Sequence, residues 1–111
     1  MMTTEEIRAE LQDVRYYYSR KAMFDRAKAC VAKNAAVALA EKYGNAVRNA
    51  PPRLYDIYVT LYVENNTQAS AAEKWGYSEG YIRNLNKQLY AFFVNAFANK
   101  NQDLQIKVKG K

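Results

Sequence analysis

The sequence predicts an all-α protein in which an N-terminal helical region packs on a C-terminal unit built from two short helices around a tight turn. Three observations lead there. A helix-start signature stands at Thr3-Thr4-Glu5-Glu6, apolar residues recur at helical spacing from Leu54 to Tyr62, and a lone glycine, Gly76, divides two short helical patterns between Thr67 and Leu89. The 111 residues suffice for one compact core, and a chain that is 50% apolar and 25% charged has the balance of a folded domain rather than of disorder.

In the first element, Thr3 and Glu6 have capping-box spacing: hydroxyl and carboxylate satisfy each other's backbone amides at a helix start. They open onto Ile7, Leu11, Val14 and Tyr18, a stripe that would next reach Lys21 and Asp25 and so ends after about three turns. Apolar positions resume on another face with Phe24 and Val31. No Gly or Pro precedes Gly44, so helix propensity extends through Ala27 to Ala40. A helical hairpin and one long kinked helix both satisfy this pattern. Ala32, Ala35, Ala36 and Ala38 would let a neighbouring backbone approach closely, which favours the hairpin. Gly44-Asn45 suits a helix end, and Asn49-Ala50-Pro51-Pro52 interrupts the chain.

Pro52 fits a first helical turn, after which Leu54, Ile57, Tyr58, Leu61 and Tyr62 predict a strongly amphipathic helix ending near Glu64-Asn65-Asn66. Thr67 then stands where a hydroxyl caps the next helix, and Ser78 where one caps the helix after that. Ala72 is small where these two helices would cross, Gly76 supplies the positive φ of the turn, and Trp75, Ile82 and Leu85 point inward. The pattern is that of a helix-turn-helix. Its last helix carries Leu89, Phe92 and Phe93 and reaches about Phe97; beyond it Leu104, Ile106 and Val108 alternate with polar residues as a short edge strand or a frayed basic end. The expected organisation is therefore 1–50, a helical hairpin or long helix used for packing or dimerisation; 51–97, the helix-turn-helix domain; and 98–111, a basic, flexible tail.

The charges and the missing residue types narrow the function. Lys plus Arg exceed Asp plus Glu by 17 to 11, which favours polyanionic partners. From Ser78 onward the cations are Arg83, Lys87, Lys100, Lys107, Lys109 and Lys111 against Glu79 and Asp103, six against two. Histidine is absent, and with it the commonest general base and metal ligand; no paired-carboxylate spacing, phosphate loop or nucleophile elbow is present either. An enzyme is not expected, nor a cofactor. The single cysteine, Cys30, cannot close an internal disulfide, the N-terminus lacks a signal-peptide pattern, and no apolar run has transmembrane length. A cytoplasmic protein of a bacterial host cell, with no membrane partner, is expected.

In a helix-turn-helix the second helix lies in the major groove with its N-terminal residues at the base edges. With Ile82, Leu85 and Leu89 turned inward, the outer face shows Ser78, Glu79, Gly80, Arg83, Asn84 and Lys87. Arg83 suits guanine, Asn84 adenine, and Glu79 the N4 donor of cytosine, while Thr67, Gln68 and Lys87 suit phosphate. Glu79 equally complements a helix dipole, and Tyr81 packs beside Leu85 or reaches a phosphate. Double-stranded DNA is the expected partner.

The run Leu54-Tyr55-Asp56-Ile57-Tyr58, with Tyr62-Val63-Glu64-Asn65-Asn66-Thr67-Gln68, Ala71-Ala72-Glu73-Lys74-Trp75-Gly76-Tyr77-Ser78 and Tyr81-Ile82, resembles the fourth conserved region of bacterial sigma factors. More closely, it is similar to small phage-encoded regulators of the ArpU and RinA type, over residues 52–95. The resemblance implies a transcriptional regulator that sets Ser78 to Lys87 in a promoter major groove and contacts RNA polymerase. The chain lacks the other promoter-binding regions of a complete sigma factor, and Glu79 and Gly80 depart from a strongly basic reading head. A second expectation is therefore a protein-interaction module of the same fold that binds RNA polymerase or another host or phage protein, with little affinity for DNA. The Ile7–Tyr18 stripe can cover the Leu54–Tyr62 helix within a monomer or join two copies in a homodimer.

Overall fold

The computed structural model describes residues 2–22 and 31–110, with side chains at 2–22 and 35–98. Five helices make a compact all-α globule: α1 (Thr4–Ser19), α2 (Val31–Val47), α3 (Pro52–Tyr58), α4 (Gln68–Trp75) and α5 (Glu79–Gly110). A single π-helical turn, Val59–Val63, continues α3. Among the described residues there is no strand, and the backbone over Leu104, Ile106 and Val108 is helical. Phe24, Ala27 and Cys30 lie outside the described residues, as do the side chains of Val31, Ala32, Lys100 and the residues after it.

The capping box of α1 is formed in full, with the Thr3 hydroxyl accepting from the Glu6 amide at 3.1 Å and the Glu6 carboxylate accepting from the Thr3 amide at 2.8 Å. Ile7, Leu11 and Val14 are completely buried. The stripe then steps three residues rather than four: Tyr17 is buried and Tyr18 only partly so, because Tyr18 sits at the edge of the core. The fold-back expected of the first fifty residues is present as α1 against α2. Lys42 of α2 reaches Glu10 of α1 at 3.3 Å, and the Tyr43 hydroxyl donates to the same carboxylate oxygen at 2.6 Å.

Two expectations for α2 are corrected. The helix does not end at Gly44 but runs through it to Val47, because Ala40, Tyr43 and Val47 form a continuous inward stripe at helical spacing. Of the alanines foreseen as the close contact, Ala35 and Ala38 are exposed and Ala36 is half-buried, while the Ala32 side chain lies outside the described residues.

The core is shared from end to end. Ile7, Leu11 and Val14 of α1 meet Ile57, Leu61 and Tyr62 of the α3 segment and Ile82, Leu89 and Phe93 of α5 in one apolar cluster. Thus the α1 stripe is covered within the chain. Aromatic edges lock α2 to α5, with the Tyr43 ring 4.8 Å from Phe93 and 5.2 Å from Phe97, both edge-on. A buried polar relay adds direction: Tyr62 donates to the Asn86 carboxamide oxygen at 2.6 Å, and the Asn86 nitrogen donates to Tyr90 at 3.0 Å.

The amphipathic α3 segment keeps the five inward residues read from its spacing, but its last turn widens. The Glu64 amide bonds the Val59 carbonyl at 2.8 Å, a step of five residues, and Thr60 is buried in consequence. Asn66 then reaches back to the Thr60 carbonyl through both its backbone and side-chain nitrogens, at 3.0 and 3.1 Å. Between them Asn65 takes a left-handed conformation, φ 63°, which costs a non-glycine residue energy. Arg15 of α1 secures it, donating from Nε to the Asn65 side-chain oxygen at 3.1 Å and from Nη2 to its carbonyl at 3.3 Å.

Burial pushes the hydroxyl pKa of Tyr43, Tyr58 and Tyr62 well above the usual tyrosine value; the Glu10 hydrogen bond adds to it for Tyr43 and the Tyr90 hydrogen bond for Tyr62. These groups stay protonated when folded, whereas in the unfolded chain they ionise near pH 10.0. Their contribution is therefore complete below pH 10 and is lost as pH rises above it. Stability is expected to fall by about 1.4 kcal/mol per pH unit for each such tyrosine. Urea midpoints followed between pH 8 and 11.5, beside tyrosinate absorbance, check this; a flat profile refutes it.

Candidate functional site

The site grows from two capped helices and the three residues between them. At the start of α4 the extended Thr67 accepts the Ser70 amide on its hydroxyl at 3.0 Å, as its position in the sequence implies. At its end Gly76 adopts φ 76°, ψ 29°. The Tyr77 amide bonds the Ala72 carbonyl at 2.9 Å and the Gly76 amide the Glu73 carbonyl at 3.4 Å, the paired closure of a Schellman turn. Ser78 follows at once and accepts the Tyr81 amide on its hydroxyl at 3.1 Å. Few torsions in this connection are left undetermined.

Packing fixes the angle between the two helices. Ala71 and Ala72 are buried, and their small side chains let α4 settle on α5, from which Ile82, Leu85 and Leu89 point into the core. Trp75 flanks this contact, partly buried. On the opposite side of α5, Gly80, Arg83, Asn84 and Lys87 are exposed in one row, flanked by Glu79 and Ser78 at the tip. Thr67 is also exposed and Gln68 partly so, both at the head of α4 rather than in that row. The structure thus brings six of the eight residues singled out from the sequence onto one end and one face of α5.

Electrostatically the row is basic and unquenched. Among the described residues neither Arg83 nor Lys87 has an ion-pair partner, and Lys74 nearby is paired to Glu64 at 3.7 Å. Gly80 leaves room at the tip: a Cβ there would lie 3.8 Å from Arg83 Nη1, so the guanidinium folds back over the first turn. Glu79 also makes no ion pair among the described residues and sits in the first turn, where its charge complements the helix dipole.

A further group beside this tip was not read from the sequence. Arg53, in the first turn of α3, donates to the Tyr81 hydroxyl. Its guanidinium lies 5.8 Å from the Tyr77 ring centre and 5.9 Å from that of Tyr81, and the two rings stand 4.7 Å apart. The hydrogen bond to Tyr81, and then the electrostatic influence of Tyr81 and Tyr77, push the Arg53 pKa further up. Periodicity sorts residues by face within one helix. It carries no signal for a pairing across 28 positions.

Among the described residues no group of three His, Cys, Asp or Glu side chains is arranged to hold a metal ion, and no helix is long and apolar enough to cross a membrane. Because Ser78 anchors the first turn that carries Glu79, Gly80 and Arg83, Ser78→Ala is expected to cost about 1 kcal/mol. Chemical denaturation reads it; an unchanged midpoint would show the cap to be dispensable. In comparisons with known proteins, no family model matches the chain, and no curated protein and no solved structure is significantly similar to it.

Proposed function

We propose that the chain is a DNA-binding transcriptional regulator that uses α4 and α5 as a helix-turn-helix, with α5 entering the major groove. The observation that carries this reading is the exposed row Gly80, Arg83, Asn84 and Lys87, presented beside a tightly capped turn and, among the described residues, free of ion pairs. In this reading Arg83 and Asn84 address base edges, Lys87 and Thr67 address phosphate, and Gly80 lets the backbone come close. Gln68 approaches the same backbone from the head of α4. The net charge of +6 supplies the sequence-independent attraction. Phage or prophage origin and contact with RNA polymerase are supported by the resemblance to ArpU- and RinA-type regulators.

Arg53 extends the interface. Held over Tyr77 and Tyr81 at the tip of α5, it is preset to meet a phosphate flanking the bases that Arg83 reads. One enriched sequence and a steep loss of affinity with salt are expected when a random duplex pool is selected at two salt concentrations; neither appearing overturns the proposal. Arg83→Ala should lose about 1–3 kcal/mol of discrimination at one base pair. Arg53→Gln should weaken all duplexes alike and reduce the salt slope by about 0.9. Equal losses on every sequence for Arg83→Ala would reassign it to phosphate.

A second reading rests on the tip itself, where the exposed Tyr77 and Gly80 and the acidic Glu79 resemble a protein contact more than a DNA contact. Capture of RNA polymerase that depends on Arg83 and Lys87 and is not displaced by duplex DNA would favour this interaction module over the DNA reader.

A further inference from the structure

One basic side chain acts on the helix-turn-helix from a different part of the chain. Arg15 of α1 is half-buried and reaches across 50 residues to Asn65, on the approach to α4. Its Nε donates to the Asn65 side-chain oxygen at 3.1 Å and its Nη2 to the Asn65 carbonyl at 3.3 Å. The planar guanidinium makes both contacts at once and so holds the backbone and the side chain of one residue together.

Asn65 is where such a grip has most effect. Among the described residues it is the one non-glycine with positive φ, a conformation that an asparagine leaves for commoner regions when nothing holds it. Thr67 caps α4 two residues later, so a change in the Asn65 torsions swings the head of that helix. Further along, Ala71 and Ala72 are buried, and α4 packs on α5 and on the π-helical turn. Before those anchors, Asn66 bonds the Thr60 carbonyl, and the Ser70 hydroxyl donates to Asn66 at 3.3 Å. Thr67 is exposed and Gln68 half-buried at that head, which depends on the short turn for its aim.

We propose that Arg15 is a positioning residue for duplex DNA. By holding Asn65 in its left-handed state it aims Thr67 and Gln68 at the phosphates beside the groove that α5 enters. It acts through Asn65 and not by its own charge. This assignment rests on the helix-turn-helix reading and adds to it a residue of α1, a helix that reading leaves without a part in binding.

The probe is a fluorescein-labelled duplex from the pool that the parent chain enriches, titrated well below the melting midpoint of every variant. Arg15→Met keeps an apolar stem and removes both donors; it should weaken binding about tenfold, as when the competent turn falls to a minor population. Arg15→Lys keeps the charge without the two-pronged grip and should lose about threefold. Arg8→Met removes an exposed cation from the same helix and should change affinity less than about twofold. Rescue separates positioning from charge: glycine takes positive φ unaided, so in an Asn65→Gly chain Arg15→Met should cost less than about twofold. In the free protein the amide resonances from Thr67 to Ala71 should shift in Arg15→Met, whereas the double variant should match Asn65→Gly alone. If Arg15→Met does not fold, Arg15→Lys in both backgrounds makes the same comparison. Equal affinity of the parent and the Arg15 variants, an equal loss in Arg8→Met, or a loss that Asn65→Gly leaves unrescued would each overturn the proposal. A parent that enriches no duplex overturns the helix-turn-helix reading and this proposal with it, and the amide comparison then still tells whether Arg15 holds the turn.

Discussion

A left-handed asparagine governs how this chain is assembled. α3 and α4 are separated by the residues from Glu64 to Thr67, and the direction in which α4 leaves the core is set where Asn65 turns to φ 63°. That conformation is unfavourable in isolation, and its two hydrogen bonds from Arg15 come from 50 residues earlier in the sequence. The N-terminal helix is thus more than a cover for apolar surface. By holding Asn65 it fixes where Thr67 begins α4, and through α4 where Ala71 and Ala72 meet α5.

Features settled within a few residues were legible in the sequence. Thr3 with Glu6, Thr67, Gly76 and Ser78 each satisfy a local backbone requirement, and each takes the role its chemistry implies. The inward residues of α3 and α5 were legible for the same reason, because burial at helical spacing leaves a periodic trace. Gly44 misled because a glycine is permitted at a helix end without requiring one; the stripe of Ala40, Tyr43 and Val47 decided the matter instead. The widened turn at Val59–Val63 left no trace, since Leu61 and Tyr62 face inward either way.

For the candidate site the division is similar. The exposed row on α5 followed from knowing which residues were buried, so Arg83, Asn84 and Lys87 were accessible to reasoning from pattern. Arg53 and its two tyrosines were not, because that cluster exists only once α3 and α5 have packed. The Tyr58 hydroxyl, buried without a hydrogen-bond partner among the described residues, belongs to the same class: nothing about a tyrosine in an apolar stripe tells whether its oxygen will find a partner.

The relay from Tyr62 through Asn86 to Tyr90 bears on how such a surface can be used. Asn86 is buried early in α5, and its carboxamide is engaged at both ends, by the π-helical turn and by a residue one turn further along. Rolling α5 about its axis would break the bond to Tyr62 and leave an amide group stranded in an apolar interior. The azimuth of the row that carries Arg83 is therefore pinned to the body of the protein. A molecule that bound along this row would meet a helix held in one rotation, with the exposed Arg83 and Lys87 side chains left to adjust.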